Sequence, residues 1–229
     1  MPRIILIETS TSLCSAAIEQ DGRIISSRET AEPRAHASRT AVFIKEMLDE
    51  CGLRVQDCDA VCVSSGPGSY TGLRVGSSTA KGLCFGASKP LLAAGTLDIL
   101  VRQALEEGLP EGCTAIIPMV DARRMEVYCA VYNTEGERLT EVAPCVVDAS
   151  CFSTELAAGK VLFIGDGAAK CAPVLDSANA VFRQVNPNAA AMASLAEEAF
   201  SKSEFQNTAY FEPFYLKEFV ATVSKKNLF

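Results

Sequence analysis

The sequence predicts an α/β protein of two domains, each with a mixed sheet flanked by helices. The chain has 229 residues, 48% of them hydrophobic and 21% charged, which is enough for two packed domains of about 100 to 120 residues. Strand-like and helix-like segments follow the order strand, strand, strand, helix, strand, helix, and this order occurs twice. An acidic residue closes the first strand of each copy, Glu8 in one and Asp121 in the other.

The first copy opens with two apolar runs, at residues 3–8 and 14–20, that predict strands. Asp21-Gly22 has the composition of a tight hairpin turn, so a third strand is expected at residues 23–28. From residue 38 the apolar residues recur at helical spacing, and Gly52 is placed to end that helix. The remaining elements are a strand at 60–64, a helix at 73–85, a strand at 91–94 and a helix at 97–107 with Thr96 as its N-cap.

The second copy repeats the order but not the residues, so the duplication is architectural. We place the domain boundary after residue 97, which gives domains at residues 1–97 and 98–229. The predicted elements are strands at 114–120, 125–132, 137–142 and 161–164, helices at 152–158 and from 168, an alanine-rich helix at 190–200, and a loose terminus around Lys225-Lys226. This duplicated plan is that of the actin, hexokinase and Hsp70 (ASKHA) fold.

Charge and composition argue against several functions. The formal charge is −7, from 28 acidic and 21 basic residues, and a surface of that sign repels nucleic-acid phosphates. We therefore expect RNA to be held by another subunit. No apolar run approaches the roughly 18 to 20 residues that cross a bilayer, and the amino terminus lacks a signal-peptide pattern. The expected location is the cytoplasm, away from the membrane.

Ten cysteines and one histidine limit the metal and redox chemistry of the chain. No Cys-x-x-Cys pair occurs, and several cysteines replace apolar residues inside strand-like or helix-like runs. We therefore expect buried thiols rather than a disulfide framework or a zinc site. His36 is the only histidine, which excludes any site with two histidine ligands and weakens acid–base schemes that need imidazole.

The turn after the first strand is a candidate anion site. In active members of the ASKHA fold this turn holds a nucleotide phosphate and its magnesium. Five polar residues stand here, and their hydroxyls either point at an anion or satisfy groups of the turn itself. Asp121 with Arg123 and Arg124 forms either an anion clamp or an ion-paired corner. The residues of a vestigial nucleotide site would be Glu8, Thr9, Ser10, Asp121, Gly165, Asp166 and Gly167.

Residues 66–76 form the most specific segment of the chain, with glycines at 66, 68, 72 and 76. The segment lacks the lysine of a P-loop, so Walker chemistry is excluded. Two interpretations are left open. The loop is either a phosphate cradle at a helix N-terminus or a shape that lets the next helix pack very closely.

The helix after this loop has little polar surface, since Arg74 and Lys81 are its only charged residues. One stripe of its surface suits its own sheet. A different stripe is small and uncharged, and consists of Val75, Thr79, Gly82 and Gly86. A helix of this kind is normally covered on more than one side. The second cover is either another protein or the first helix of the same domain.

Four segments, at residues 5–11, 65–76, 121–128 and 213–217, resemble the bacterial TsaB family, also called YeaZ. The resemblance implies the ASKHA fold and a non-catalytic dimerisation subunit. The machinery in question adds threonylcarbamoyl to the adenosine beside the anticodon in tRNAs that read ANN codons. The implied partners are TsaD, a catalytic subunit of the same fold that binds a metal through two histidines, and TsaE, a small ATPase.

The resemblance also implies where the partner binds, namely on the first two helices. The implied residues are His36, Arg39, Phe43, Tyr70, Gly72, Arg74, Val75, Ser78, Thr79 and Gly82. The residue four after His36 is Thr40, so the metal motif of the partner is absent. Glu8 departs from the aspartate that the family carries there, which argues further against an autonomous nucleotide site.

The expected chain has no catalytic residue, no metal and no cofactor of its own. ATP or ADP is expected only in the assembled complex, tRNA only through that complex, and the isolated chain is a candidate homodimer. Two other classes stay open. One is an ATP-dependent sugar or acid kinase of the same fold, with Glu8, Asp121 and residues 165–167 as its site. The other is a metalloprotease.

Overall fold

The computed structural model describes residues 2–217. Its first sheet contains five strands in the spatial order β3-β2-β1-β4-β5. Strands β1 and β2 are antiparallel, as are β2 and β3, whereas β4 is parallel to both β1 and β5. The strands are β1 (Arg3–Glu8), β2 (Cys14–Gln20), β3 (Arg23–Thr30), β4 (Ala60–Gly66) and β5 (Leu91–Gly95).

The second sheet has the same plan. Its spatial order is β10-β9-β6-β7-β8, with β6 in the central position that β1 holds in the first sheet. Its strands are β6 (Cys113–Asp121), β7 (Glu126–Cys129), β8 (Ala143–Val146), β9 (Lys160–Ile164) and β10 (Ala180–Arg183). Strand β6 is antiparallel to β7 and parallel to β9. The duplicated ASKHA fold class is therefore confirmed.

Helices cover both faces of the sheets. The helices are α1 (His36–Glu50), α2 (Tyr70–Ala87), α3 (Thr96–Glu107), α4 (Ser153–Ala158), α5 (Ala168–Cys171) and α6 (Ala193–Ser201). Helices α1 and α2 pack with Ile5 and Ile7 on one face of the first sheet. Helix α6 packs with Ile4 and Leu6 on the other face. None of the helices within residues 2–217 has the length and hydropathy of a membrane span.

Helix α3 lies between the two sheets. Its Ile99 joins the core of the first sheet, while Leu97 and Leu100 pack with residues of β6 and β9. Helix α6 comes late in the chain but lies on the first sheet. The boundary after residue 97 stays a prediction, and the expectation for Lys225-Lys226 lies outside the described residues.

Two predicted elements differ from the structure. The third strand of the second sheet is β8 at Ala143–Val146 rather than residues 137–142. Side chains interrupt the pairing there, because Asn133 Oδ1 accepts the N–H of Glu137 at 2.8 Å and Thr140 Oγ1 accepts the N–H of Val131 at 2.9 Å. Thr96 is not an N-cap either. Gly95 is the N-cap of α3, and the buried Thr96 Oγ1 has no hydrogen-bond partner within residues 2–217.

Candidate functional site

A cleft of about 790 Å³ lies where the ends of the two sheets meet. The turn after β1 and the start of α2 line one side of it. The connection between β6 and β7, together with Asp166, lines the other side, and residues 214–217 of the tail also contribute. Four of the sequence segments that predicted a site therefore line the cleft, namely the β1 turn, the glycine loop before α2, the corner at residues 121–124 and the turn that contains Asp166.

Most polar groups of the β1 turn bind groups within the chain, whereas the buried Ser10 Oγ has no hydrogen-bond partner among residues 2–217. The N–H of Ser10 donates to Glu8 Oε1, and Thr9 Oγ1 donates to the carbonyl of Gly72 at 2.9 Å. The hydroxyls of Thr11 and Ser12 both donate to Asn186 Oδ1 at 3.2 Å. This arrangement supports the interpretation in which the turn satisfies local groups rather than an anion.

The Glu8 carboxyl is fully buried and does not line the cleft. Its Oε2 has no hydrogen-bond partner among the described residues. Burial raises the pKa of Glu8 to about 7, against the lowering effect of its hydrogen bonds with Ser10. A carboxyl in this position is costly to ionise and is not presented to a ligand.

The acidic groups of the second copy are also engaged. Asp166 Oδ1 accepts the N–H of Asp121 at 2.9 Å, and burial raises the pKa of Asp166 to about 6. The Asp121 carboxylate accepts the N–H of Arg123 at 2.6 Å and pairs with Lys170 at 2.5 Å. The ion partner of Asp121 is thus Lys170, while the exposed side chains of Arg123 and Arg124 line the cleft. The choice between an anion clamp and an ion-paired corner stays a prediction.

The glycines of the first loop allow close packing. A Cβ atom added at Gly68 or Gly72 would collide with the carbonyl oxygen of Ser10 or Thr9, and one added at Gly76 would collide with Thr9 Oγ1. Helix α2 thus rests directly on the β1 turn, and Ser69 caps it by accepting the N–H of Gly72 at 3.3 Å. Of the two interpretations of this loop, the structure supports close packing.

The glycine turn after β9 is packed in the same way. A Cβ atom at Gly165 would collide with the carbonyl oxygen of Met119, and one at Gly167 would lie 2.9 Å from Val127 Cγ1. The N–H of Gly167 already donates to Met119 O at 2.9 Å. Both glycine turns and Asp121 are occupied by contacts within the chain, and Glu8 is buried outside the cleft lining. These residues therefore do not fit a magnesium nucleotide. Residues 2–217 also contain no group of three or more His, Cys, Asp or Glu side chains that could share a metal ion.

The residues implied for partner binding fall into two sets. Arg39, Arg74, Ser78 and Gly82 are exposed, and His36, Tyr70, Val75 and Thr79 are half-buried. Phe43 and Gly72 are buried, and Phe43 belongs to the core between α1 and the first sheet. On α1 the apolar side chain that reaches solvent is Val42, with 40% of its surface exposed. His36 Nε2 lies 3.0 Å from the carbonyl oxygen of Thr11, so the histidine ties α1 to the β1 turn.

Phe85 lies near the end of α2 and is 87% exposed, although it was not among the residues predicted for partner binding. At 100° per residue, Phe85 lies on the same face as Arg74 and Ser78, next to Gly82. Apart from the backbone of α2 itself, no atom of residues 2–217 lies within 4 Å of a Cβ added at Gly82 or Gly86. We call this exposed surface the α2 face; it consists of Thr71, Arg74, Val75, Ser78, Thr79, Gly82, Phe85 and Gly86. The signal available in the sequence was the position of Phe85 beside the small stripe.

Residues 209–215, near the end of the described chain, contact helix α2 at Tyr70 and Lys81. The Tyr70 ring packs against Tyr215 with centroids 4.8 Å apart, and the Arg74 guanidinium lies 4.2 Å from the centroid of the Tyr70 ring. Lys81 Nζ donates to the carbonyls of Ala209 and Phe211 at 3.1 Å. The side chains of Tyr70 and Arg74 are thus packed against each other and against Tyr215.

Comparisons with known proteins identify the family. A family model described as "TsaD: tRNA N6-adenosine threonylcarbamoyltransferase" matches residues 24–225. The tRNA threonylcarbamoyladenosine biosynthesis protein TsaB of Escherichia coli (strain K12) is 35% identical over 133 residues, which are 58% of this chain and 56% of that protein. The chain belongs to this family and, within it, to the TsaB (YeaZ) proteins.

Further TsaB relatives and solved structures agree. TsaB of Bacillus subtilis (strain 168) is 31% identical over 142 residues, 62% of this chain and 59% of that protein. The chain thus spans little more than half the length of the curated relatives that it matches. YeaZ from Pseudomonas aeruginosa is 29% identical, and its structure superposes with a TM-score of 0.82 over 94% of this chain and 100% of that chain.

Proposed function

We propose that this chain is the non-catalytic dimerisation subunit of a complex that forms threonylcarbamoyladenosine in tRNA, and that it supports a TsaD-like catalytic subunit. TsaB relatives are named as proteins of this biosynthesis, and the matching family model carries the name of the transferase. In the described part of this chain, the acidic groups and glycine turns of the cleft are engaged internally, which favours a supporting role.

The observation that carries this proposal is the α2 face. The sheet-facing side of helix α2 already packs on the core through Leu73, Ala80 and Cys84. The opposite side exposes small uncharged residues and the ring of Phe85. Small residues let a second helix approach closely, and an exposed apolar patch with an aromatic residue is typical of a protein–protein interface.

The expected occupant is a subunit of the same fold, which would bring its own pair of helices to this face. The same geometry lets the isolated chain pair with a second copy through an isologous contact. The relative affinities decide whether the chain pairs with the TsaD-like subunit or with a second copy of itself. The proposal requires that the TsaD-like subunit is preferred.

The charge of the chain supports the proposal that other subunits bind the tRNA. The chain carries a formal charge of −7, so tRNA contacts would come from other subunits of the complex. A small TsaE-like ATPase is proposed as a further member. ATP or ADP would bind only in the assembled complex, because Glu8 is buried outside the cleft lining and Asp121 is paired with Lys170 in this chain.

Reconstitution tests this proposal. The purified chain, a TsaD-like subunit and a TsaE-like ATPase are combined with tRNA, ATP, threonine, bicarbonate and the enzyme that makes threonylcarbamoyl-adenylate. Modified adenosine is expected when all are present and is lost when this chain is omitted. Product from this chain in the absence of the TsaD-like subunit, or full activity without this chain, would contradict the proposal.

A further inference from the structure

Two cysteines converge at the outer edge of the second sheet. Cys145 lies on the edge strand β8, and Cys151 follows six residues later, just before α4. Their Sγ atoms are 3.9 Å apart. Both residues are half-buried, and residues 148–150 between them are exposed. An external reagent can therefore reach this pair.

The connection between the two cysteines is folded to bring them together. Asp148 accepts the N–H of Ser150 at 2.8 Å and its hydroxyl at 2.6 Å. The N–H of Cys151 donates to the carbonyl of Asp148 at 3.2 Å. The N–H of Asp148 in turn donates to Cys151 Sγ at 3.3 Å. The sulfur of Cys151 is thus held toward Cys145 by the loop itself.

Of the other cysteines of the described residues, Cys129 and Cys171 lie in the buried cluster against which Cys145 and Cys151 pack, and the remaining six lie elsewhere in the fold. Cys14, Cys58, Cys62, Cys84, Cys129 and Cys171 are buried, and Cys51 and Cys113 are half-buried. Cys113 Sγ donates to a carbonyl, that of Ala115, at 3.3 Å. Within residues 2–217 no set of three donors could share a metal ion, so the close pair points to dithiol chemistry rather than to zinc.

We propose that Cys145 and Cys151 are a reversible thiol–disulfide site that reacts with low-molecular-weight disulfides such as glutathione disulfide. The two sulfurs need to approach by only about 2 Å to reach the bond length of a disulfide. The site lies on the second sheet, away from the α2 face, and does not depend on the proposed role in tRNA modification.

The exchange takes two steps. The thiolate of Cys151 attacks one sulfur of glutathione disulfide, forms a mixed disulfide and releases one glutathione thiolate. The thiol of Cys145 then loses its proton to water, and its sulfur attacks Cys151 Sγ and releases the second glutathione. Two protein thiols are oxidised, and one glutathione disulfide is reduced to two glutathione molecules. Burial raises the pKa of Cys145 to about 11, so Cys145 suits the second step rather than the first.

Mapping of disulfides in the full chain tests this site. The protein is equilibrated in glutathione buffers of defined ratio, acid-quenched, alkylated and digested without reduction. The expected product is one peptide pair joined through Cys145 and Cys151, lighter by two hydrogen atoms and restored by dithiothreitol. In Cys145→Ser, Cys151 is expected to accumulate as the mixed disulfide with glutathione instead.

Cys113→Ser is the matched control, because it removes a half-buried thiol outside the pair and should leave the Cys145–Cys151 disulfide unchanged. Recovery of Cys145 and Cys151 as free thiols in buffers that glutathionylate Cys51 or Cys113 would overturn the inference. So would a disulfide that joins Cys151 to the buried Cys129.

Discussion

Substitution of Gly76 tests whether α2 rests directly on the β1 turn. A methyl group at Gly76 would collide with Thr9 Oγ1 and lie 3.4 Å from Val63 Cγ2. Thr9 is fully buried, and its hydroxyl is used by the carbonyl of Gly72. Overpacking of a core costs about 1 to 3 kcal/mol, and displacement of a buried hydrogen bond costs about 1 to 3 kcal/mol.

Gly82→Ala is the matched control on the same helix, because in the described part of the chain no atom outside the backbone of α2 lies within 4 Å of a Cβ at Gly82. Both substitutions gain the helix propensity of alanine, about 1 kcal/mol, so this gain cancels in their difference. We expect Gly76→Ala to be less stable than Gly82→Ala by about 2 to 6 kcal/mol. Urea unfolding of the isolated chain measures both free energies. Equal free energies of unfolding for the two variants would show that the Thr9 side chain moves aside without cost and that Gly76 is not needed for packing.

Two further predictions concern Glu8 and RNA. The folded state raises the pKa of Glu8 from 4.5 to about 7, so it binds this proton more tightly than the unfolded chain does. The corresponding stability is present below pH 4.5 and is lost as the pH rises through 7, by up to about 3 kcal/mol. The free energy of unfolding of Glu8→Gln should change less between pH 4 and 8 than that of wild type. An equal change in both proteins would contradict the raised pKa of Glu8. In gel-shift titrations at physiological salt, the isolated chain should not retain tRNA at submicromolar protein; retention at that level would contradict the charge argument.

Much of the first domain could be predicted from the sequence. The bounds of β1 and β2 agree with the structure, because apolar runs and the Asp21-Gly22 turn mark them locally. Helix α2 begins at Tyr70, three residues before its predicted start, since Ser69 caps it. The third strand of the second sheet could not be located, because the side chains of Asn133 and Thr140 take backbone N–H groups that a strand pair would use.

The candidate site was predictable in position more than in chemistry. The sequence predicted that the β1 turn, Asp121 and the glycine turns belong to one site, but it left open whether these groups face a ligand or one another. That choice depends on contacts across the fold, such as those of Asn186 with the β1 turn and of Lys170 with Asp121. Exposure likewise depends on tertiary packing. Phe43 was expected at the surface and is buried, whereas Phe85 is exposed.

The most direct test of the proposed role is the affinity of the TsaD-like subunit for wild type, Val75→Glu and Val146→Glu. Val75 lies on the α2 face. Val146 is 68% exposed on β8, in the second sheet, so the same substitution there serves as the control. In a complex, the carboxylate introduced by Val75→Glu would lose water without gaining a partner charge, which costs several kcal/mol.

Sedimentation velocity with the partner, together with thermal unfolding of each variant alone, separates binding from folding. We expect all three proteins to unfold at similar temperatures, Val146→Glu to bind like wild type, and Val75→Glu to bind at least about a hundredfold more weakly. A Val75→Glu protein that is stable and binds the partner with wild-type affinity would contradict the assignment of the α2 face as the partner surface.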